Sequence, residues 1–235
     1  MARDDTLLTQ KRYDRQAAFF DLTEAPWELL AFKRLRRRLW GQVSGGRVLE
    51  VGAGTGKNFP YHPADARMLG LDISPRMLQR ASRRARKLGR EIDLVLGDAQ
   101  RLPFRDGAFD AAVATFVFCS VPDPIAGLEE ARRVLRTDGK VHLLEHVRAR
   151  NPIAGWLMDR LNPIVVRMMG ANINRQTLEN VRRAGIAVED VESRAFGIVK
   201  LIRGSRGLPQ PESVAQPEPE RLSRMKGAVG DVGHG

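Results

Sequence analysis

The hydrophobic positions of the chain alternate, from residue 47 onward, between short apolar runs and longer stretches with helical spacing. Short apolar runs bounded by turn residues are typical of buried strands, whereas apolar residues three and four apart are typical of helices. The predicted strands are Arg47–Gly52, Arg67–Asp72, Ile92–Leu96, Ala108–Thr115, Lys140–Glu145, Ile186–Glu192 and Ala195–Arg203. The predicted helices are Pro75–Leu88, Pro124–Leu135, Pro152–Met169, interrupted at Asn162 and Pro163, and Arg175–Ala184.

This alternation predicts an α/β fold. Strands that alternate with helices are joined by right-handed crossovers, so they form a mostly parallel sheet. The strand cores are almost wholly apolar, as expected where helices cover both faces of a sheet. The last two strands lie close together in the chain and favour a hairpin.

The first 45 residues form a separate helical region in this prediction, with helices at Thr6–Leu22 and Pro26–Val43. The second helix mixes basic residues with Trp27, Phe32 and Trp40. A basic amphipathic helix of this kind either lies in a membrane interface or caps the domain with its charged face in water. Residues 46–204 make up the α/β domain.

The C-terminal residues, 205–235, are rich in Pro, Gly, Ser, Gln and Glu and contain few apolar side chains. Such a segment cannot bury enough surface to offset the entropy of ordering, so we predict a disordered tail.

Composition narrows the class and the partners. The 235 residues suffice for one α/β domain, and no apolar run reaches the ~20 residues needed to cross a bilayer. No secretion signal precedes the domain, so we expect a cytoplasmic protein. Cys119 is the only cysteine, which excludes a disulfide framework, and we predict no metal site.

The net charge of +11 favours an anionic membrane surface as partner, reached through the basic N-terminal helix at the inner face of the membrane. Seven basic residues crowd residues 76–90 without base-stacking aromatics, so a nucleic-acid partner is disfavoured. An Arg-rich composition and a solvated outer helix account for the same charges without any partner.

A glycine-rich segment, Leu49–Gly56, follows the first predicted strand. Glycines permit a sharp turn and let a ligand approach the backbone, and a helix starting near Lys57 would direct its amides at that ligand. A dinucleotide-binding loop needs a third glycine where Lys57 stands, and a phosphate-binding P-loop needs Ser or Thr where Asn58 stands. Both kinds of site are therefore disfavoured.

Two acids follow the next two predicted strands. Asp72 ends the second strand and can accept hydrogen bonds from ribose hydroxyls, although it could instead cap a helix. Asp98 follows the third strand and can receive an adenine amino group, although it could instead serve a turn. Open α/β sheets bind ligands at the carboxyl ends of their strands, which predicts a nucleoside site there.

These motifs, with residues 72–78, 97–104 and 109–110, resemble in order and spacing those of the class I S-adenosylmethionine (SAM)-dependent methyltransferases. The resemblance covers about residues 47–203. It implies a Rossmann-like seven-stranded sheet of order 3-2-1-4-5-7-6, with the last strand antiparallel. It also implies SAM as cofactor and S-adenosylhomocysteine as product.

The resemblance implies cofactor contacts at Glu50, Gly52, Ala53, Gly54, Gly56, Asn58, Asp72, Ile73, Met77, Asp98, Ala99, Gln100 and Thr115. In that scheme Glu50 orients the glycine loop. Ile73 and Met77 form the adenine wall, although Met77 also fits a core position.

The segments that should face the methyl acceptor are Thr115–Pro124, Leu144–Val147 and Gly170–Arg175. They resemble the branch that includes lipid-headgroup and quinone methyltransferases, and still more a subgroup with membrane-associated thiol S-methyltransferases. The resemblance implies acceptor-binding residues at Phe116, Cys119, Asn172 and Arg175. It also implies that Tyr13 belongs to an N-terminal lid and to the catalytic residues.

His146 is the candidate base, because an amine acceptor must lose a proton, and Glu145 is its orienter or counter-charge. His146 could instead be a structural histidine at a strand end. We interpret Cys119 as pocket-lining, because methyl transfer needs no covalent enzyme intermediate.

The expected reaction is N-methylation of an aminophospholipid headgroup such as phosphatidylethanolamine. S-methylation of small thiols or sulfide, C-methylation of a quinone ring and a non-catalytic SAM-binding membrane protein are the alternatives. The sequence leaves the acceptor and the oligomeric state open.

Overall fold

The computed structural model describes residues 2–20, 32–149 and 151–207. Within these ranges the strands are β1 (Gly46–Val51), β2 (Ala66–Asp72), β3 (Asp93–Leu96), β4 (Phe109–Thr115), β5 (Leu135–His146), β6 (Ala187–Arg194) and β7 (Val199–Ser205). The α-helices are α1 (Ala2–Gln16), α2 (Lys33–Trp40), α3 (Pro75–Lys87), α4 (Pro124–Arg133), α5 (Pro152–Met169) and α6 (Thr177–Arg183).

The strands of these ranges form one sheet of order β3-β2-β1-β4-β5-β7-β6. β1 pairs in parallel with β2 and β4, whereas β7 runs antiparallel to both β5 and β6. The α/β class, the strand order and the closing hairpin are thus confirmed.

Helices cover both faces of the sheet, and successive residues of a strand pack against opposite sides. Leu49 of β1 joins the apolar cluster that includes Leu128 of α4 and Val181 of α6. Its neighbour Val48 joins the cluster that contains Leu39 and Trp40 of α2. Helices on the two faces therefore leave the carboxyl ends of the parallel strands as the edge where loops gather.

The helix predicted near Lys57 is wrong. Residues 52–58 form a loop, followed only by a short 3-10 turn at Phe59–Tyr61. Pro63 lacks the amide that a continuing helix would need, and it holds His62 in an extended conformation with ψ 138°.

The interruption predicted at Asn162 and Pro163 is also wrong, since α5 runs through Pro163 without a break. Tertiary hydrogen bonds hold this part of the helix in place. Asn162 Oδ1 accepts from the Ile173 amide at 2.9 Å, and Asn162 Nδ2 donates to Asn172 Oδ1 at 3.2 Å.

The basic N-terminal helix is described only from Phe32 onward, so Trp27 lies outside the described residues. Leu39 and Trp40 are each 1% exposed, and Phe32 packs on Phe116 with ring centroids 4.7 Å apart. The described apolar side chains of this helix therefore cap the domain, and a membrane contact through Trp40 is wrong because the protein interior already surrounds it.

The predicted tail falls, from residue 208 onward, outside the described residues, and Ser205 belongs to β7. Within the part of the chain that the structure describes, no helix has the length and apolar character required to cross a membrane.

Candidate functional site

The glycine loop follows β1 at the carboxyl edge of the sheet. Gly52, Gly54 and Gly56 have φ of +70°, +54° and +80°, a region that glycine enters without strain. A Cβ on Gly52 would clash with Val117 Cγ2, whereas a Cβ on Gly54 would meet nothing within 4 Å. The backbone at Gly54 thus faces open space and forms a cradle that a side chain would fill.

A buried polar network supports this loop. Asn58 Nδ2 donates to Glu50 Oε1 at 2.6 Å and to Thr115 Oγ1 at 3.2 Å. His62 Nε2 lies 2.9 Å from Glu50 Oε2, and Arg36 donates to Asn58 Oδ1 at 2.8 Å. All five residues are buried, so the network fixes the end of the loop to β1, β4 and α2.

Arg36 and His62 are absent from the residues predicted for the site. Arg36 lies three and four residues before Leu39 and Trp40, so helical spacing alone places it on the apolar face. No comparable signal marks His62, whose ring packs 4.4 Å from that of Trp40 across the fold.

Asp72 and Asp98 stand where the resemblance places them, at the ends of neighbouring strands. Asp72 Oδ2 accepts from the Gly54 amide at 2.8 Å, and its Oδ1 accepts from the Ser74 amide at 2.9 Å. Burial raises the pKa of Asp72 to about 6, although these amides oppose the shift. Asp98 accepts from the backbone and side-chain amides of Gln100 at 2.9–3.1 Å.

The remaining predicted cofactor residues differ in exposure. Ile73 is half-buried and can contact a ligand, whereas Met77 is 1% exposed and packs in the interior. Ala53 and Ala99 are buried as well, at 4% and 9% exposure, so little beyond their backbone is open to a ligand.

Helix α1 lies across this edge of the sheet. Thr6 Oγ1 donates to Asp98 Oδ2 at 3.4 Å and accepts from Gln100 Nε2 at 3.1 Å. About two turns further along the helix, Asp14 Oδ1 accepts from Ser74 Oγ at 2.6 Å. The helix is thereby tied to the loops that follow β2 and β3.

Tyr13 ties α1 to the other half of the edge. Its hydroxyl donates to Ser120 Oγ at 2.6 Å, in the segment after β4. The phenol thus holds α1 against the segment that carries Cys119, a positioning contact that the sequence does not reveal.

Glu145 supports the turn that follows β4. The side chain is completely buried, and its Oε1 accepts from the Val117 and Phe118 amides at 2.9 and 3.0 Å. Its Oε2 has no hydrogen-bond partner among the described residues, and burial raises the pKa of the carboxyl to about 7. Glu145 therefore acts on the backbone of this turn.

His146 is the last residue of β5, and its side chain lies on the side of the strand opposite to that of Glu145. Its ring stacks on Phe116 at 4.5 Å and lies edge-on to Phe32 at 5.9 Å. Burial lowers the pKa of His146, so its imidazole is neutral at neutral pH. The predicted pairing of Glu145 with His146 is wrong, because adjacent strand residues point to opposite faces.

The structure brings together three of the predicted acceptor-binding residues, Cys119, Asn172 and Arg175. They contact the backbone of the turn after β4. The amide and Nδ2 of Asn172 both donate to the Cys119 carbonyl, at 2.9 and 3.1 Å. Arg175 donates to the Val121 carbonyl at 3.0 Å. Cys119 is 1% exposed, and burial raises the pKa of its thiol, so it remains protonated.

These features fit SAM. The cradle at Gly54 can take the amino-acid end, while Asp72 and Asp98 offer carboxylates to a ribose and an adenine from adjacent strand ends. The bound cofactor supplies an electrophilic methyl group on a sulfonium.

Comparison with known proteins leads to the same chemistry. A family model described as a methyltransferase domain matches residues 49–143. A phosphatidylethanolamine N-methyltransferase of Cereibacter sphaeroides is 40% identical over 124 residues, which cover 51% of this chain and 61% of that enzyme. A demethylmenaquinone methyltransferase of Lactobacillus johnsonii is 33% identical over 172 residues, covering 69% of this chain and 68% of that enzyme.

A thiol S-methyltransferase of Homo sapiens is 36% identical over 131 residues, covering 52% of this chain and 53% of that enzyme. The chain thus spans less than two thirds of the length of the phospholipid and thiol relatives. These relatives are all enzymes, which disfavours the non-catalytic alternative.

A solved structure from Thermotoga maritima, a SAM-dependent methyltransferase described as a possible histamine N-methyltransferase, has a TM-score of 0.64 to this chain. At 23% identity, over 84% of this chain and 99% of that one, this likeness shows the fold alone. Together with the sheet order and the family match, it makes this chain a member of the class I SAM-dependent methyltransferases, in the branch of phospholipid, quinone and thiol methyltransferases.

Proposed function

We propose that this methyltransferase N-methylates the headgroup amine of an aminophospholipid such as phosphatidylethanolamine at a membrane surface. The observation that carries the proposal is His146, an imidazole with a lowered pKa at the carboxyl end of β5, stacked on Phe116. The relative from Cereibacter sphaeroides, whose name states this activity, supports the choice of acceptor.

The chemistry requires a proton acceptor. An alkylamine is mostly protonated at neutral pH and has no free electron pair until the proton leaves. Neutral His146 can take that proton before methyl transfer, which would free the nitrogen electron pair for the methyl group that the cofactor supplies. The rings of Phe116 and Phe32 beside it can stabilise the substituted ammonium product through cation–π contacts.

The rest of the site holds and covers the reactants in this proposal. Asp72 and Asp98 bind the nucleoside of the cofactor, and Glu50 with Asn58 fixes the loop that takes its amino-acid end. Helix α1 forms the lid and is attached through Thr6, Tyr13 and Asp14. Alignment and exclusion of water then account for much of the rate.

The test is SAM turnover on vesicles of phosphatidylcholine with and without phosphatidylethanolamine, with methylated lipid detected by mass spectrometry. His146→Phe keeps a ring of similar size, and we expect turnover to fall roughly 100-fold at neutral pH while SAM affinity is retained. His142→Asn, at the buried histidine near the middle of the same strand, is the matched control, and turnover per folded protein should change little. Purified protein that binds SAM and methylates no lipid would contradict the proposal.

A thiol acceptor is the second candidate, favoured by a different observation. The Arg36 guanidinium lies 5.8 Å from the Phe116 ring centroid, close to where an acceptor would sit, and a nearby cation stabilises a thiolate. The human thiol S-methyltransferase supports this candidate. A panel of small thiols assayed with SAM separates the two, since thioether products without methylated lipid would select the thiol reaction.

A further inference from the structure

Helix α5 presents an apolar face to solvent. Ile153, Trp156, Leu157, Leu161 and Ile164 are 78%, 57%, 49%, 43% and 56% exposed. Their spacings of three and four residues place them along one side of the helix. Contiguous apolar surface of this kind on a folded protein marks an interaction site.

The same side of α5 carries only positive charge. Arg160 and Arg167 follow the same helical spacing, and the Arg160 guanidinium lies 5.4 Å from the Trp156 ring centroid. The single acid of the helix, Asp159, points elsewhere and pairs with Arg148 at 2.8 Å and with Asn174 at 3.1 Å. The apolar face is therefore bordered by arginines with no carboxylate among them.

The opposite side of α5 fixes the orientation of the helix. Asn162 bonds to Ile173 and Asn172, and Gly155 is buried beside the Arg148 side chain. These contacts hold the Asn162 side of the helix against the domain, so the apolar side faces outward in the described structure.

We propose that this outward face of α5 docks onto a phospholipid bilayer that contains anionic lipid. Apolar side chains with a Trp among them insert at the headgroup boundary, while arginine side chains extend to lipid phosphates. A second copy of the chain fits less well, because a two-fold contact would bring the same arginines together without an acid to pair them.

The docking face is connected to the acceptor side of the cleft. Asn162 contacts Asn172, which in turn holds the Cys119 carbonyl in the turn after β4. Docking of α5 would thus bring this turn close to the lipid headgroups. That consequence rests on the proposed function, whereas docking itself does not depend on which acceptor is methylated.

The test is cosedimentation of the full chain with vesicles of phosphatidylcholine alone or with added phosphatidylglycerol, in the absence of SAM. The double variant Trp156→Gln, Leu161→Gln should partition at least about tenfold more weakly, because two apolar side chains no longer insert. Leu88→Gln, which alters an exposed leucine at the end of α3, is the matched control and should bind like wild type. Equal binding of the double variant would overturn the proposal.

Charge and depth are tested separately. Arg160→Gln with Arg167→Gln should lower binding to phosphatidylglycerol vesicles by roughly fivefold per arginine and hardly alter binding to phosphatidylcholine. Tryptophan emission of the wild type should shift to shorter wavelength on these vesicles, and Trp156→Phe should abolish the shift while binding persists. An unchanged wild-type emission spectrum on vesicles would refute docking. So would a wild-type protein that does not bind vesicles and instead forms a concentration-dependent dimer that the double variant does not form.

The two proposals fail separately. If the wild type binds vesicles, the α5 double variant does not, and the wild type forms no methylated lipid, only the proposed function is contradicted. Lipid methylation that continues unchanged in the non-binding variant contradicts only the role of α5 in reaching the acceptor.

Discussion

Two buried carboxylates hold the loops at opposite ends of the cleft, and they differ in what remains open to a ligand. Asp72 accepts one amide on each oxygen and keeps 8% of its surface exposed beside the open cradle at Gly54. Glu145 is fully buried, accepts two amides on one oxygen and has no partner for the other among the described residues.

This difference suits Asp72 to binding a ligand and Glu145 to positioning the backbone. A carboxylate with exposed surface and free lone pairs can exchange water for ribose hydroxyls, so Asp72 can touch the cofactor directly. Glu145 can influence an acceptor only through the backbone of residues 117–118. At the cofactor end of the cleft, Asp72 keeps surface that a ligand can reach, whereas at the acceptor end Glu145 only supports the backbone of a turn.

The largest expected effect is on the cofactor side. Asp72→Ala removes the carboxylate that would accept two hydrogen bonds from the ribose in the proposed site, and SAM affinity should fall roughly thousandfold by calorimetry. Asp138→Ala, at a side chain that is 87% exposed, is the control and should bind SAM like wild type. If the Kd of Asp72→Ala for SAM lies within threefold of the wild-type value, a difference of about 0.6 kcal/mol, Asp72 does not bind the cofactor and does not differ from Glu145 in this respect.

The next effect is on the acceptor side. Glu145→Ala leaves two buried amides without an acceptor, and the free energy of unfolding should fall by about 3 kcal/mol in denaturant titration. Turnover should fall with it while SAM affinity stays near wild type. Glu145→Gln keeps an oxygen for the amides and should recover most of the turnover, whereas equal loss in both variants would show that the charge itself is needed.

The smallest effect is a pH dependence. Burial raises the pKa of Glu145 from 4.5 to about 7, so the folded state favours the protonated form. This stabilisation is complete below about pH 4.5 and is lost as the pH rises through about 7. From pH 5 to 8 the free energy of unfolding of Glu145→Gln, relative to wild type, should therefore rise by about 2–3 kcal/mol. A pH-independent difference would place Glu145 in contact with water.

Local patterns of the sequence were sufficient for most of the helices and strands and for the positions of two acids at strand ends. The apolar runs located the strands, and Asp72 and Asp98 were found because a strand end fixes where the next side chain lies. Prediction failed after Gly56 and at Pro163, where proline chemistry and tertiary hydrogen bonds decided between helix and loop.

Residues adjacent in the chain are enough to predict the order of strands and helices, the glycine loop and the two acids at strand ends. Contacts between distant residues bury Trp40 and Arg36, turn the apolar side of α5 outward and point Glu145 away from His146. An amphipathic pattern shows that a helix has an apolar side, but the packing of distant residues determines what that side meets.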